Sequence, residues 1–201
     1  MILALAVVVG LAASLVRHRD RAFRRIAAIP LRSAWLALLA FVLQWPLLQA
    51  PAGPVQRIGV QQVLFLLSHL LLLGFIWRNR QLPGIQIVGL GVVCNLLVIV
   101  ANGGLMPITP ETLVQINSGS NLAQWPIGAH YGHSKDIILL RAEIRLWALS
   151  DVLVIPPPFP RPTAFSLGDL LIAVGIVVLL QGSGIGKPDA AETDPAKPEL
   201  M

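Results

Sequence analysis

From Ile58 to Trp77 the chain carries no Asp, Glu, Lys or Arg. An ionised side chain at the centre of a bilayer costs at least about 2.5 kcal/mol on insertion scales, so apolar runs of this kind mark membrane spans. Other apolar runs cover Met1 to Val16, the first part of Ser33 to Gln56, the middle of Gln81 to Pro110, and the stretch after Ser166. Spans are therefore expected at about 1–17, 33–49, 58–77, 85–101 and 167–181. Hydrophobic residues make up 55% and charged residues 12% of the chain, against about 25% charged in an ordinary soluble domain. Five spans consume most of that apolar content, which argues against a soluble enzyme.

The punctuation between runs fits this division. Pro51, Gly53 and Pro54 mark a turn, Arg78 and Arg80 close the third span, and Asn102-Gly103-Gly104 suits a helix end that passes into left-handed backbone. The first run is short, about 24 Å of helix against a core of about 30 Å, and Arg17 can snorkel to complete it. A signal peptide would carry its positive charge before the apolar region. Here RHRDRAFRR follows it, so an uncleaved anchor with the N-terminus outside is expected.

Lys and Arg set the orientation. With the N-terminus outside, ten of the 15 fall inside, namely Arg17, Arg19, Arg21, Arg24, Arg25, Arg32, Arg78, Arg80, Lys187 and Lys197. Arg57, Lys135, Arg141, Arg145 and Arg161 fall outside. The positive-inside rule favours this arrangement. RHRDRAFRR reads as a topology determinant that also attracts anionic lipid from Arg17 to Arg25. The charge sits at the ends of apolar runs rather than over a folded surface, so nucleic acid is not an expected partner.

The connection 102–166 is too long for a turn. Thr109-Pro110-Glu111 reads as N-cap, N1 and first-turn acid of a short helix. Asp136 to Ile155 is expected to form an interfacial or re-entrant helix. At 100° per residue Asp136, Glu143 and Asp151 share one side of it, with Arg141 and Arg145 opposite. IPPPFPRPT breaks it before the last span. After Gly182 the composition is that of a disordered tail. The expected fold class is thus an all-α membrane protein, one polytopic domain over 1–181 with about five transmembrane helices, an outer cap over 102–166 and a tail over 182–201.

Candidate chemistry is sparse. His69 and Asn95 are the strongly polar side chains deep in the spans, at depths that let them meet across adjacent antiparallel helices as an interhelical hydrogen bond, or form part of a proton or substrate site. His130, His133 and Asp136 could supply three zinc ligands, but their Gly-rich surroundings and the adjacent Lys135 disfavour a metal. Ser166-Leu167-Gly168-Asp169 fits a capping box. Asp169 also joins Asp151 and Glu143 as outer-side acids that could line a pocket. GSGIGK at Gly182 to Lys187 lacks the strand, hydroxyl and helix of a phosphate loop. The lone cysteine, Cys94, excludes an intrachain disulfide. The tryptophans mostly fall where interfacial anchors belong.

NGGLMP at Asn102 to Pro107, then SKDIILL, LWALSDVLVIPPPFP and TAFSLGDLLIAVGI, together resemble a bacterial multi-pass membrane family catalogued as a domain of unknown function. The likeness runs in order over roughly Gly89 to Leu180. It implies a bacterial cytoplasmic-membrane protein and carries over no activity, cofactor or catalytic residue. Asn102, Gly103, Gly104, Met106, Pro107, Asp151, Ser166, Gly168 and Asp169 become candidates for a shared outer-side structure. The expected function is a non-enzymatic membrane protein whose outer cap binds a small molecule, a lipid headgroup or a partner protein. Its rivals are a membrane-embedded enzyme on lipid-linked substrates, using Glu143, Asp151 and Asp169, and a small transporter. No set of nucleophile, base and orienting group and no inverted repeat is present to favour either.

Overall fold

In the computed structural model, which describes residues 2–55 and 59–182, each of the five apolar runs forms a helix. These are α1 (Ile2–His18), α3 (Ala34–Leu48), α4 (Val60–Arg78), α5 (Ile85–Ala101) and α7 (Leu167–Gln181). RHRDRAFRR folds into a 3-10 turn and the short α2 (Ala22–Ala27), and α6 (Pro110–Ile116) follows the fourth run. Among the described residues α4 is the one helix long and apolar enough to cross a membrane by itself, while the other four span 15 to 17 residues. The tail expected at 182–201, including GSGIGK, and Arg57 lie almost wholly outside the described residues.

Contacts place the long helices in the order α3, α4, α5, α7, α1. The closest seam lies between α5 and α7. Side chains added at Gly84 and Gly91 would collide with the backbone of Gly175 and Gly168, and the reverse also holds. The matching seven-residue spacing shows that the two helices run antiparallel with glycine facing glycine, which lets the backbones approach. At the other side of α7, α1 runs parallel to it: Gly10 packs on Val177 and Leu180, and Gln181 Nε2 donates to Gly10 O at 2.8 Å. One end of the bundle therefore collects the N-termini of α1, α4 and α7 and the C-termini of α3 and α5. The opposite end collects Arg17 to Arg32 with Arg78 and Arg80, where Asn79 ties Arg32 through two backbone hydrogen bonds of 2.7 and 2.8 Å.

A cap of short strands covers the first end. β1 (Gly53–Pro54), β3 (Ala129–His130), β4 (Asp136–Ile138) and β2 (Met106–Ile108) form one sheet in that order, and β5 (Leu153–Ile155) pairs with β6 (Thr163–Phe165) as a hairpin. β2 and β4 are parallel, with Met106 opposite Asp136 and Ile108 opposite Ile138. Two apolar clusters hold the cap: Leu47, Phe65, Val98, Ile99, Leu105 and Met106 seat it on the bundle, and Ile108, Leu113, Ala129 and Ile138 fill its interior.

The helix expected over Asp136 to Ile155 is not formed. That segment is strand β4, two turns, a 3-10 turn at Trp147–Leu149 and strand β5. Its apolar runs are only a few residues long, a length at which periodicity does not separate strand from helix. β2 offers a strand edge that satisfies the backbone of β4, and Pro156 and its successors bar a helix from continuing beyond β5. The cap therefore departs from an all-α fold. With the helix gone, the shared face of Asp136, Glu143 and Asp151 has no structural meaning.

Candidate functional site

The polar site is assembled from the ends of elements. Asn102 ends α5, and Gly103 and Gly104 adopt φ of +82° and +94°, a left-handed path that glycine follows without strain. This turn delivers the buried Leu105 and then Met106 and Pro107 of the buried β2. Asn102 also clamps the cap, donating from Nδ2 to Arg145 O at 2.9 Å and accepting from Arg145 N at 3.0 Å. Met106 N donates to Lys135 O at 3.0 Å, and Asp151 N to Pro107 O at 3.4 Å. One buried strand thereby positions both the Lys135-Asp136 pair and Asp151.

From the other side comes the start of α7. Ser166 Oγ accepts from Asp169 N at 2.9 Å, and Asp169 Oδ2 accepts from Ser166 N at 3.4 Å, which is the capping box. Ser166 Oγ donates to Asn95 Oδ1 and Asn95 Nδ2 donates to Asp169 Oδ1, both at 2.7 Å. Gly168 permits this, because a side chain there would strike the Asn95 amide.

Lys135 joins the two halves. Its Nζ lies 3.1 Å from Asp169 Oδ2 and 3.4 Å from Asp151 Oδ2. Burial opposes its charge, but Asp151, Asp169 and Asp136 together outweigh that and hold the ammonium well above the usual lysine range. The 27% of its side chain that remains exposed belongs to a residue lining a cavity that runs into the bundle. Asp136 and Asp151 are 7% and 2% exposed, and among the described residues no donor group reaches the buried Oδ1 of either. Burial pushes the Asp136 carboxyl up to about 6 and that of Asp151 up to about 7, against the pull of Lys135.

All four charged groups line one cavity of about 770 Å³. It reaches from the cap into the bundle and touches every long helix: Leu3 on α1, Phe41 on α3, His69 and Leu72 on α4, Val92 and Asn95 on α5, and Ile172 on α7. One end is charged and the rest is mostly apolar. Because the helices stand in an arc with α1 and α3 as its two ends, the cavity occupies the concave face between them.

Several expected partnerships are absent. His69 and Asn95 line the same cavity but engage other groups. The His69 Nδ1 bonds Phe65 O at 2.9 Å within its own helix, and Asn95 is committed to Ser166 and Asp169. Glu143 is exposed and accepts from Leu140 N at 3.2 Å in a local turn, so it stands apart from Asp151. The Arg141 guanidinium stacks on Trp147 at 3.9 Å, and Asp151 pairs with Lys135 at 3.4 Å. His130 sits between Pro51 O at 3.2 Å and Ser134 O at 3.0 Å. His133 is exposed with φ of +58°, and among the described residues no group of three His, Cys, Asp or Glu is placed to hold a metal. Lys135 is the residue that sequence reasoning undervalued. Its signal was a lysine directly beside Asp136 and between two Gly-containing stretches and an apolar run, in the one connection long enough to fold over the bundle.

Residues 28–181 match a family of unknown function, DUF5317. The chain belongs to that family. It is also 27% identical over 125 residues to an uncharacterised protein of Thermotoga maritima, an overlap that covers 62% of this chain and 66% of that relative. The chain thus spans slightly less than two thirds of the relative's length. No solved structure matches. The match contains every residue of the Lys135 cluster, so the site lies within the family's shared region.

Proposed function

We propose that this DUF5317 chain is a multi-pass protein of the bacterial cytoplasmic membrane, with five spans, the N-terminus and cap outside and the C-terminus inside, that binds an amphipathic molecule in its central cavity. The cavity carries this reading: a buried charged end at Lys135, Asp151 and Asp169 continues into an apolar interior at Phe41, Leu72 and Ile172. A polar head and an apolar tail match those two ends. The arc of helices leaves the tail a sideways route from lipid between α1 and α3.

Membrane placement draws support from the outer faces of the helices, where Leu38, Val42, Leu70 and Val100 are 57% to 68% exposed. Apolar surface of that extent on a soluble monomer would be a liability. The arginines gathered at the end away from the cap fit the positive-inside rule. A dodecanol carrying a photoreactive group on its chain tests the cavity. Labelling concentrated on Phe41, Leu72 and Ile172 supports it, and labelling confined to lipid-facing positions such as Leu38 and Val100 overturns it.

The convergence of Asp136 and Asp151 beside Lys135 favours a second reading, an enzyme acting on a lipid-linked substrate. Turnover of such a substrate, lost in Asp151→Asn, would select it over simple binding.

A further inference from the structure

Away from its charged end the cavity wall holds a buried polar side chain whose hydrogen bonding is half complete. His69 is 6% exposed and lines the cavity, about 14 Å from the cap end of α4 at 1.5 Å per residue. Its Nδ1 lies 2.9 Å from Phe65 O. A carbonyl can only accept, so Nδ1 carries the ring hydrogen. Ser68 does not compete for Nδ1, because its hydroxyl donates to Phe65 O at 2.6 Å and accepts from Gln44 Nε2 at 3.0 Å. No carboxylate pairs with the ring among the described residues, and an unpaired cation at that depth is disfavoured, so the ring is neutral and Nε2 presents a lone pair. No group among the described residues donates to Nε2, and unlike the sealed acid oxygens it is open to the cavity that His69 lines.

We propose that His69 Nε2 accepts a hydrogen bond from a hydroxyl of the molecule bound in the cavity, which is therefore an amphipathic alcohol. The inference rests on the cavity reading above and names a group that the bound molecule carries. A hydroxyl supplies the donor that the wall lacks. An ether or ester oxygen sets lone pair against lone pair, and a plain alkyl chain leaves Nε2 bare. The acceptor is in position before the ligand enters: the Phe65 ring stands edge-on to the imidazole, with ring centres 4.8 Å apart, and Phe65 O holds Nδ1. Such preorganisation lowers the cost of binding. The hydroxyl-bearing end then points toward the cap, and the chain runs on past Leu72, one turn further along α4, between Phe41 and Ile172.

The full chain, with nitrogen-15 in its histidines, is placed in phosphatidylcholine nanodiscs and titrated with dodecanol and with dodecyl methyl ether. The ether keeps the oxygen and the chain but lacks the donor. Affinities are compared at equal mole fraction in the lipid, against empty nanodiscs. Dodecanol is expected to saturate at one per chain and to bind roughly three- to tenfold tighter than the ether, the range of one neutral hydrogen bond. The signal of the unprotonated His69 nitrogen should move as dodecanol saturates and stay in place with the ether. It is assigned by difference from His69→Gln, or by replacing His18, His130 and His133 with Gln where that variant melts poorly. His69→Phe should bind both probes equally, whereas His69→Gln, whose amide oxygen can stand in for Nε2, should keep part of the preference. Alcohol and ether saturating with equal affinity, a nitrogen signal unmoved by saturating dodecanol, or a preference that survives His69→Phe overturns the hydroxyl assignment alone. If neither probe saturates, the cavity reading falls with it.

Discussion

Asn95 Nδ2 lies 2.7 Å from Asp169 Oδ1, and the carbonyl oxygen of the same amide accepts from Ser166 Oγ at 2.7 Å. One side chain from the interior of α5 thus completes the cap of α7 and fixes the carboxylate that holds Lys135. Asn95→Ala should destabilise the fold by about 1 to 3 kcal/mol, because Ser166 and Asp169 lose buried partners. Ser166→Ala should cost about 0.5 to 2 kcal/mol through the cap. Reversible unfolding in detergent measures both, and the double variant should cost less than their sum. Strict additivity would mean that the three side chains do not act together.

Lys135→Met removes the cation that Asp151 and Asp169 share. Breaking a buried ion pair from one side costs about 3 to 5 kcal/mol, and the loss should be greater at pH 8 than at pH 5, where more of the acid is already protonated. Melting curves at the two pH values decide this. Equal, small losses would mean that solvent compensates the acids and the cluster is not a buried unit.

Asp136 and Asp151 make stability depend on pH in a fixed direction. Their folded values, about 6 and about 7, lie above the unfolded range, so the folded chain retains protons that the unfolded chain has released. Their favourable contribution is complete below about pH 4, declines as pH rises, and is gone above about pH 7. The slope can reach about 1.4 kcal/mol per pH unit for each proton retained. The melting temperature of the parent should fall relative to that of Asp151→Asn between pH 4 and pH 8. Parallel curves for the two proteins would show that Asp151 does not hold a proton.

The glycine seam gives a contrast between two glycines. A side chain at Gly91 would meet the Gly168 carbonyl and Ile172, so Gly91→Ala should force α5 and α7 apart and lower the melting temperature sharply. Gly103 has no neighbour within reach, only a φ of +82°, and Gly103→Ala should cost roughly the 1 to 2 kcal/mol of left-handed backbone. If Gly91→Ala is the milder change, the close seam is not a main source of stability.

The five helices were legible because charge is excluded from them over long runs, and both N-caps, Thr109 and Ser166, were legible because their partners lie three residues away. The cap was not. β4 exists because Met106, far back in the chain, presents a paired edge to Asp136, and no local pattern of three residues records that. Lys135 was undervalued for the same reason. Its acid partner Asp169 is 34 residues distant, and the helical phase that set Asp151 beside Glu143 presupposed a helix that Pro156 and the β2 edge preclude. The depths of His69 and Asn95 along their helices placed both on the same cavity wall, but the capping residues of α7 claimed the amide first.

Sidedness decides whether the cavity's charged end faces the outer surface, on which the whole reading depends. Single cysteines placed at Ser118 in the cap and Ala190 in the tail, in a Cys94→Ala background, can be probed with a membrane-impermeant maleimide in intact cells. The expected result is labelling at position 118 and none at position 190 until the membrane is opened. Labelling at 190 with protection at 118 would invert the topology, and equal labelling of both in intact cells would contradict a membrane-spanning bundle between them.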